Sequence, residues 1–194
     1  MPMSNRRVTI VQGGFSLIEV IITMAILAVG LLGLAGLQAR AINAETESFS
    51  RAQAMMLANA MADRMNANLA ELKTSTTAAT GYNQQSSGGV KVVFGTGYTG
   101  SICSSPTTVV AQDLCDWDQA LKGVVGDSGS VGGMAGARAC VFSTGSNNEF
   151  QIDVVWQSRD IGTVPSGNDC GSTAITSRRS GVTRIVRVAT LAGT

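Results

Sequence analysis

The chain has 194 residues, with 44% hydrophobic and 14% charged side chains, fourteen Lys and Arg against thirteen Asp and Glu, and no histidine. Without imidazole there is no Ser-His-Asp or Cys-His nucleophile pair, no histidine metal ligand and no histidine proton shuttle. A formal charge of +1 supplies no whole-molecule field to draw in nucleic acid or a charged substrate.

Residues 1–14 form a short basic leader, with Arg6 and Arg7, no acid, and Gly13-Gly14 at its end. From Phe15 to Leu37 the only ionisable side chain is Glu19. At ~1.5 Å per residue this apolar helix spans the ~30 Å hydrocarbon layer of a membrane. The arginines precede it, so the positive-inside rule keeps the leader cytoplasmic and sends the rest of the chain across. Residues 38–73 hold neither Gly nor Pro and are dense in Ala, Met, Leu, Glu and Arg, a composition that favours helix. At 100° per residue Ile42, Phe49, Met56 and Ala60 share one stripe, and Met61, Met65, Leu69 and Leu72 form a second, rotated round the axis. The expectation is one continuous helix from Phe15 to about Lys73, apolar all round at first and then amphipathic, with a buried face that changes along it.

Residues 74–194 carry a different composition, with eighteen of the twenty-three glycines lying between Gly81 and Gly193 among short β-type runs. Phe150, Ile152, Val154 and Trp156 alternate with Gln151, Asp153 and Gln157, which predicts a strand with one buried and one mostly wet face. Arg138–Ser143, Val182–Leu191 and Val90–Phe94 are further expected strands. Asp113–Lys122 reads as a short helix with Asp113 as its N-cap, and Gly126–Gly136 as a flexible loop. The fold class expected is α+β, a long N-terminal helix on a loop-rich β domain.

Cys103, Cys115, Cys140 and Cys170 all lie beyond the apolar segment, where an oxidising compartment makes two disulfides the default. Three pairings are possible. Cys103 with Cys115 and Cys140 with Cys170 is favoured, because each then closes a local Gly/Ser-rich loop. A zinc site is disfavoured by the lack of any paired CxxC spacing. Asp113, Asp116 and Asp118 lack an EF-hand pattern and read as a solvated helix face. Arg178, Arg179, Arg184 and Arg187 lack aromatic interleaving and read as a solvated strand edge, not a nucleic-acid contact. Met55, Met56, Met61 and Met65 suit packing better than a copper or haem site. No residue set supports catalysis, a cofactor or a small-molecule substrate.

Glu19 needs a reason, since a carboxylate five positions into a membrane segment costs a few kcal/mol unless paired. A cut between Gly14 and Phe15 would create an α-ammonium one helical turn away, able to meet Glu19 of the same or a neighbouring subunit.

Gly13-Gly14-Phe15-Ser16-Leu17-Ile18-Glu19-Val20 followed by an apolar run resembles the class III leader and methylation signature of type IV prepilins and the related pseudopilins. The resemblance covers about the first sixty residues. It implies cleavage by an inner-membrane prepilin peptidase between Gly14 and Phe15, N-methylation of Phe15, and pairing of Glu19 with a neighbour's N-terminus during filament assembly. It also implies the pilin fold, in which the second half of the N-terminal helix packs on an antiparallel sheet. The segments 28–41, 113–121 and 150–156 are similar to minor pilins of the PilV kind. For these the resemblance implies a priming complex with other minor pilins and a tip adhesin, with the major pilin as a further partner. The protein would then sit in the inner membrane with a periplasmic head before joining the pilus and supporting biogenesis, twitching motility and adhesion. Many major pilins carry proline at the position of Gly36, whereas this chain has Gly30, Gly33 and Gly36. Each costs a helix ~1 kcal/mol relative to Ala, so the segment can bend on packing or allow close helix approach. Two other functions remain in view. One is a minor pseudopilin of a type II secretion system; the other is a soluble periplasmic protein released at the A-x-A site Ala39-Arg40-Ala41, against which stand the length of the apolar run and Glu19 within it.

Overall fold

The computed structural model describes residues 14, 16–75, 80–125, 129–130, 133–145, 149–159 and 162–187. Their contacts divide the chain into two units, Met1–Ile42 and Asn43–Thr194. The first unit holds the start of helix α1 (Leu17–Ala67). Its first turn is closed by Glu19 and Val20, whose N–H groups donate to the Ser16 carbonyl at 3.0 and 3.4 Å. Every residue from Leu17 to Ile42 is exposed. The polar hydroxyl of Thr23 donates back to Val20 O at 2.9 Å, which satisfies it inside an apolar run.

In the second unit α1 buries Ala54, Ala58, Met61, Ala62 and Met65, spaced as one helical face. The three alanines let the helix backbone approach its neighbours closely, and the two methionines fill the space between. The stripe through Ile42, Phe49 and Met56 is not covered: Phe49 is 63% and Met56 68% exposed, because only one side of α1 meets the sheet. Of the second stripe, Leu69 also stays exposed. The expected continuity to Lys73 fails at Asn68, which sits at φ −115°, ψ 56° between α1 and a short helix α2 (Leu69–Thr74). Asn tolerates such a break because its short amide competes with helical hydrogen bonding. Its N–H is shared between the carbonyls of Arg64 and Met65.

The main sheet has four antiparallel strands in the order β1-β4-β5-β6, with β1 Phe94–Gly95, β4 Arg138–Ser143, β5 Glu149–Gln157 and β6 Arg179–Arg187. The expected strand at Val90–Phe94 contributes only its last residue. Before it the chain makes a tight turn, with Ser86 N–H donating to Val90 O and Val92 N–H to Gln84 O, both at 2.8 Å. Gly95 is obligatory in β1, since φ is +91° and a Cβ there would lie 2.4 Å from the Ala137 carbonyl. Strand β6 begins three residues before the expected Val182, and 188–191 lie outside the described residues. Part of the expected loop at 126–136 is paired: β2 (Val124–Val125) and β3 (Gly129–Ser130) form a small ladder.

Helix α3 spans Val109–Lys122 and starts four residues earlier than the sequence suggests. Its cap is Thr108, whose hydroxyl accepts from Ala111 N–H at 3.1 Å, so Asp113 is an interior residue. Gly123 ends it in the left-handed conformation.

The main core joins α1, α3 and one face of the sheet, with Phe94, Trp117, Val141, Phe150, Ile152, Val154 and Trp156 in one cluster. The opposite face, which the alternation along β5 predicts to be wet, is also covered. Cys140, Phe142, Val155, Cys170 and Ile175 form a second cluster there, because the segment 162–178 folds over it. Asp153 is consequently fully buried.

Candidate assembly surface and its support

Glu19 is an exposed side chain in the first turn of α1, and no other acid or base occurs between it and Arg40. By length and composition this part of α1 can cross a membrane, and none of its most apolar window is buried within the chain. At Gly30, Gly33 and Gly36 a Cβ would meet nothing within 4 Å, so no contact among the described residues requires glycine there. Gly14 is exposed; Phe15, the other half of the expected cleavage site, lies outside the described residues, as does the rest of the leader.

The second half of α1 is fixed to the rest of its unit at three levels. Near Asn43, the Glu47 carboxylate accepts from the Ser158 hydroxyl at 2.8 Å and the Trp156 indole at 3.4 Å. About three turns further on, the Leu57 carbonyl accepts the Trp117 indole N–H at 3.0 Å. Two turns beyond that, Arg64 donates to Asp113 at 3.1 Å and Asp116 at 2.9 Å, tying α1 to α3. Tyr82 completes this knot, its hydroxyl donating to the second Asp113 oxygen at 2.5 Å.

These contacts perturb ionisation in a consistent way. The hydrogen bond from Arg64 holds Asp116 below the usual carboxylate range, and the same bond raises the arginine. Burial pushes the Tyr82 phenol up, and its donation to Asp113 adds to that. Burial likewise raises Asp153, against the lowering effect of bonds from Thr183 at 2.7 Å and Gln151 at 2.9 Å.

The three aspartates of α3 are therefore structural ties and not a solvated face. Asp118 is buried, accepting the Gly95 N–H at 2.7 Å and pairing with Lys122 at 2.6 Å, which joins α3 to the sheet edge. Among the described residues no three Cys, Asp or Glu gather as a metal site. The arginines separate. Arg179 is half-buried and donates to the carbonyls of Cys170 and Asn168, both at 2.8 Å; Arg178 and Arg184 are exposed; Arg187 pairs with Glu149 at 2.7 Å. The methionines divide too, Met61 and Met65 into the core, Met55 and Met56 onto the surface. Met56 borders an apolar groove of about 260 Å³ with Leu57, Ala60, Ala120 and Met134.

Disulfides join Cys103 to Cys115 and Cys140 to Cys170. The first ties the loop before α3 to that helix, and the second fastens segment 162–178 across β4. Glu47, Arg64 and Tyr82 are residues that sequence reasoning does not single out. Their roles depend on partners 31 to 111 positions away, a relation no local pattern records.

Two family profiles match the chain. The prokaryotic N-terminal methylation motif matches residues 11–35, which contain Gly14, Phe15 and Glu19. The profile described as type IV pilin Tt1218 (Tt1218-like) matches residues 36–120, from Gly36 through α1 and α2 into α3. The two abut and together span more than half of the sequence. The chain belongs to the type IV pilins. The long N-terminal helix, the four-stranded antiparallel sheet and the two disulfides are the form this pilin takes. The methylation motif implies processing by a prepilin peptidase and assembly with other pilins. Strands β4, β5 and β6 lie beyond the matched residues, so most of the sheet is the part of this pilin that the profiles do not describe. Neither the curated proteins nor the solved structures contain a match to the chain.

Proposed function

We propose that this pilin is a minor subunit that helps initiate a type IV pilus, joining other minor pilins and a tip adhesin in a priming complex and meeting the major pilin as a further partner. Its role is structural, with no chemistry of its own. Prepilin peptidase removes 1–14 on the cytoplasmic side of the inner membrane and methylates Phe15; residues 15–37 then hold the protein in the bilayer until it is drawn into the filament. Residues 38–73 and 74–194 remain on the periplasmic side. The observation that carries this reading is Glu19, a lone carboxylate in a helical run that is otherwise uncharged and exposed throughout. Such a group in lipid is a cost of a few kcal/mol until a positive partner meets it. A new N-terminus at Phe15 on an adjacent subunit is that partner, so stacking of these helices both buries the apolar surface and neutralises the acid.

The minor role is supported by the similarity to PilV-like pilins and by Gly30, Gly33 and Gly36, a set that lacks the proline common in major pilins and leaves α1 able to adapt to unlike neighbours.

The first test is the N-terminal sequence and mass of the mature protein from the native envelope. An N-methylated Phe15 start is expected; a start at Ile42 would refute the filament reading in favour of ordinary secretion. Quantitative mass spectrometry of sheared pili then tests the minor role: the protein is expected in small amount beside another pilin. Its presence as the chief subunit would overturn that role, and its recovery with a secretion machine instead would make it a pseudopilin.

A further inference from the structure

Among the described residues the sheet ends at β6, and the side of β6 away from β5 is only partly covered. Two hydrogen bonds set which backbone groups point outward. Ser158 N–H donates to Arg178 O at 2.7 Å at the end of the β5–β6 ladder, so the pairs in step with it, from Trp156–Ser180 to Phe150–Val186, are the hydrogen-bonded pairs. Gly181, Thr183, Ile185 and Arg187 therefore turn their N–H and C=O groups away from β5. Gly181 fixes the phase independently, since its N–H donates outward to Thr163 O at 3.0 Å.

The same segment closes the first part of the edge. Gly162 lies against the Arg179 carbonyl so tightly that a Cβ would stand 2.1 Å from it. Beyond Gly181 the cover stops: among the described residues nothing bonds the backbone groups of Thr183, Ile185 and Arg187. A run of open ladder remains, the feature through which sheets add a strand from another chain.

Its side chains state what would fit. Ile185 stands 39% exposed on one face of the strand, offering an apolar contact across a new ladder. Arg184 is exposed on the other face, Arg178 is exposed at the start, and Arg187 is 79% exposed with Glu149 as the acid beside it. A second copy of β6 would bring its own Arg184 and Arg187 to the same seam, and like charges across neighbouring strands destabilise a ladder. A strand carrying Asp or Glu does the reverse.

We propose that the outer edge of β6 over 183–187 receives an extended, acid-bearing strand from the head of a different pilin. This rests on the filament reading above and names the surface and the chemistry of one neighbour.

The test places a photo-crosslinking amino acid at Ile185 in the full-length protein in cells, and in a second strain at Leu34 in the apolar helix. Adducts are identified by mass spectrometry. Both positions are expected to capture pilins, the Ile185 adduct mapping to a strand of a different pilin with Asp or Glu in it. Arg184→Glu in the same background is expected to lower the Ile185 adduct by about tenfold, while Arg184→Lys retains it. Arg184 is exposed and bonds no described side chain, and unchanged fluorescence of Trp117 and Trp156 verifies that the variants fold. Pilin adducts from Leu34 with none from Ile185 overturn the edge proposal and leave the filament reading standing. An Ile185 adduct to a second copy of this chain, to a helix, or insensitive to Arg184→Glu also overturns it. Failure at both positions removes the filament reading and this proposal with it.

Discussion

The two disulfides close loops of unequal length, with sequence separations of 12 and 30, and the difference predicts unequal consequences. Replacing Cys140 and Cys170 together by alanine releases the longer loop in the unfolded chain. The chain-entropy relation gives about 3.6 kcal/mol for this bridge and about 2.8 kcal/mol for Cys103–Cys115. Packing acts in the same direction. Cys140 and Cys170 are fully buried among Phe142, Val155 and Ile175, whereas Cys103 is half-exposed. The Cys140–Cys170 variant should therefore melt the lower, by roughly 7–14 °C below the parent at about 2–4 °C per kcal/mol for a domain of this size. The assay is intrinsic fluorescence in detergent during urea or thermal unfolding. Trp117 and Trp156 are the two tryptophans of the chain and both are buried in the second unit, so the signal reports that unit and not the apolar helix. An equal or larger loss on removing Cys103–Cys115 would refute the reasoning, since loop length and burial would then both point the wrong way. Leader removal should be unaffected in either variant, and its failure would show that the signature and the disulfide-bonded unit are not independent.

Four further outcomes are expected. Met61→Ala, which empties a fully buried site on α1, should cost roughly 2–5 kcal/mol in the same assay, while Met56→Ala on the exposed side should change stability by about 0.5 kcal/mol or less. Asp153 has a raised value in the folded state, so its contribution favours folding below the ordinary carboxylate range and is lost as pH rises through the raised value; Asp153→Asn should therefore raise stability at neutral pH and remove that part of the pH dependence, with Gln151 rotating its amide to accept from the new one. Asp116 has the opposite sign: its lowered value adds stability above the ordinary carboxylate range that is lost on acidification through the lowered value, so Arg64→Gln should weaken the chain at neutral pH and flatten the acid limb of a stability–pH curve. Glu19→Ala should reduce pilus number and subunit crosslinks while membrane insertion persists; unchanged assembly would sink the pairing of Glu19 with a neighbouring N-terminus.

Local pattern is informative in some segments and misleading in others for definable reasons. The apolar run with its lone Glu19, the Ala/Met-rich helix and the alternation along β5 are each written within a few turns or residues, because helix and strand periods of ~3.6 and 2 are local properties. The N-cap of α3 is ambiguous in sequence since Asp113 and Thr108 both suit a cap, and Asp113 is taken instead by Arg64 and Tyr82, which come from other parts of the chain. The short β1 is obscured because Val90–Phe94 has strand composition, while the turn at Ser86–Val90 and the close approach of Ala137 to Gly95 decide which residues reach the sheet.

By itself, then, the order of amino acids determined what each stretch can do: which segment is greasy enough for lipid, where a peptidase signature stands, which residues prefer helix or strand, and that all four cysteines lie beyond the apolar run. Tertiary structure alone decided which polar groups are buried and what meets them. Gln151, Asp153 and Gln157 look like a wet strand face, yet Asp153 is sealed under 162–178 because Cys170, 30 positions along the chain from Cys140 on β4, is bonded to it. Phe49 and Met56 look like part of a buried stripe, yet they face outward because the sheet covers only one side of α1. Burial depends on what the rest of the chain brings alongside, and that pairing over long separations has no period to read.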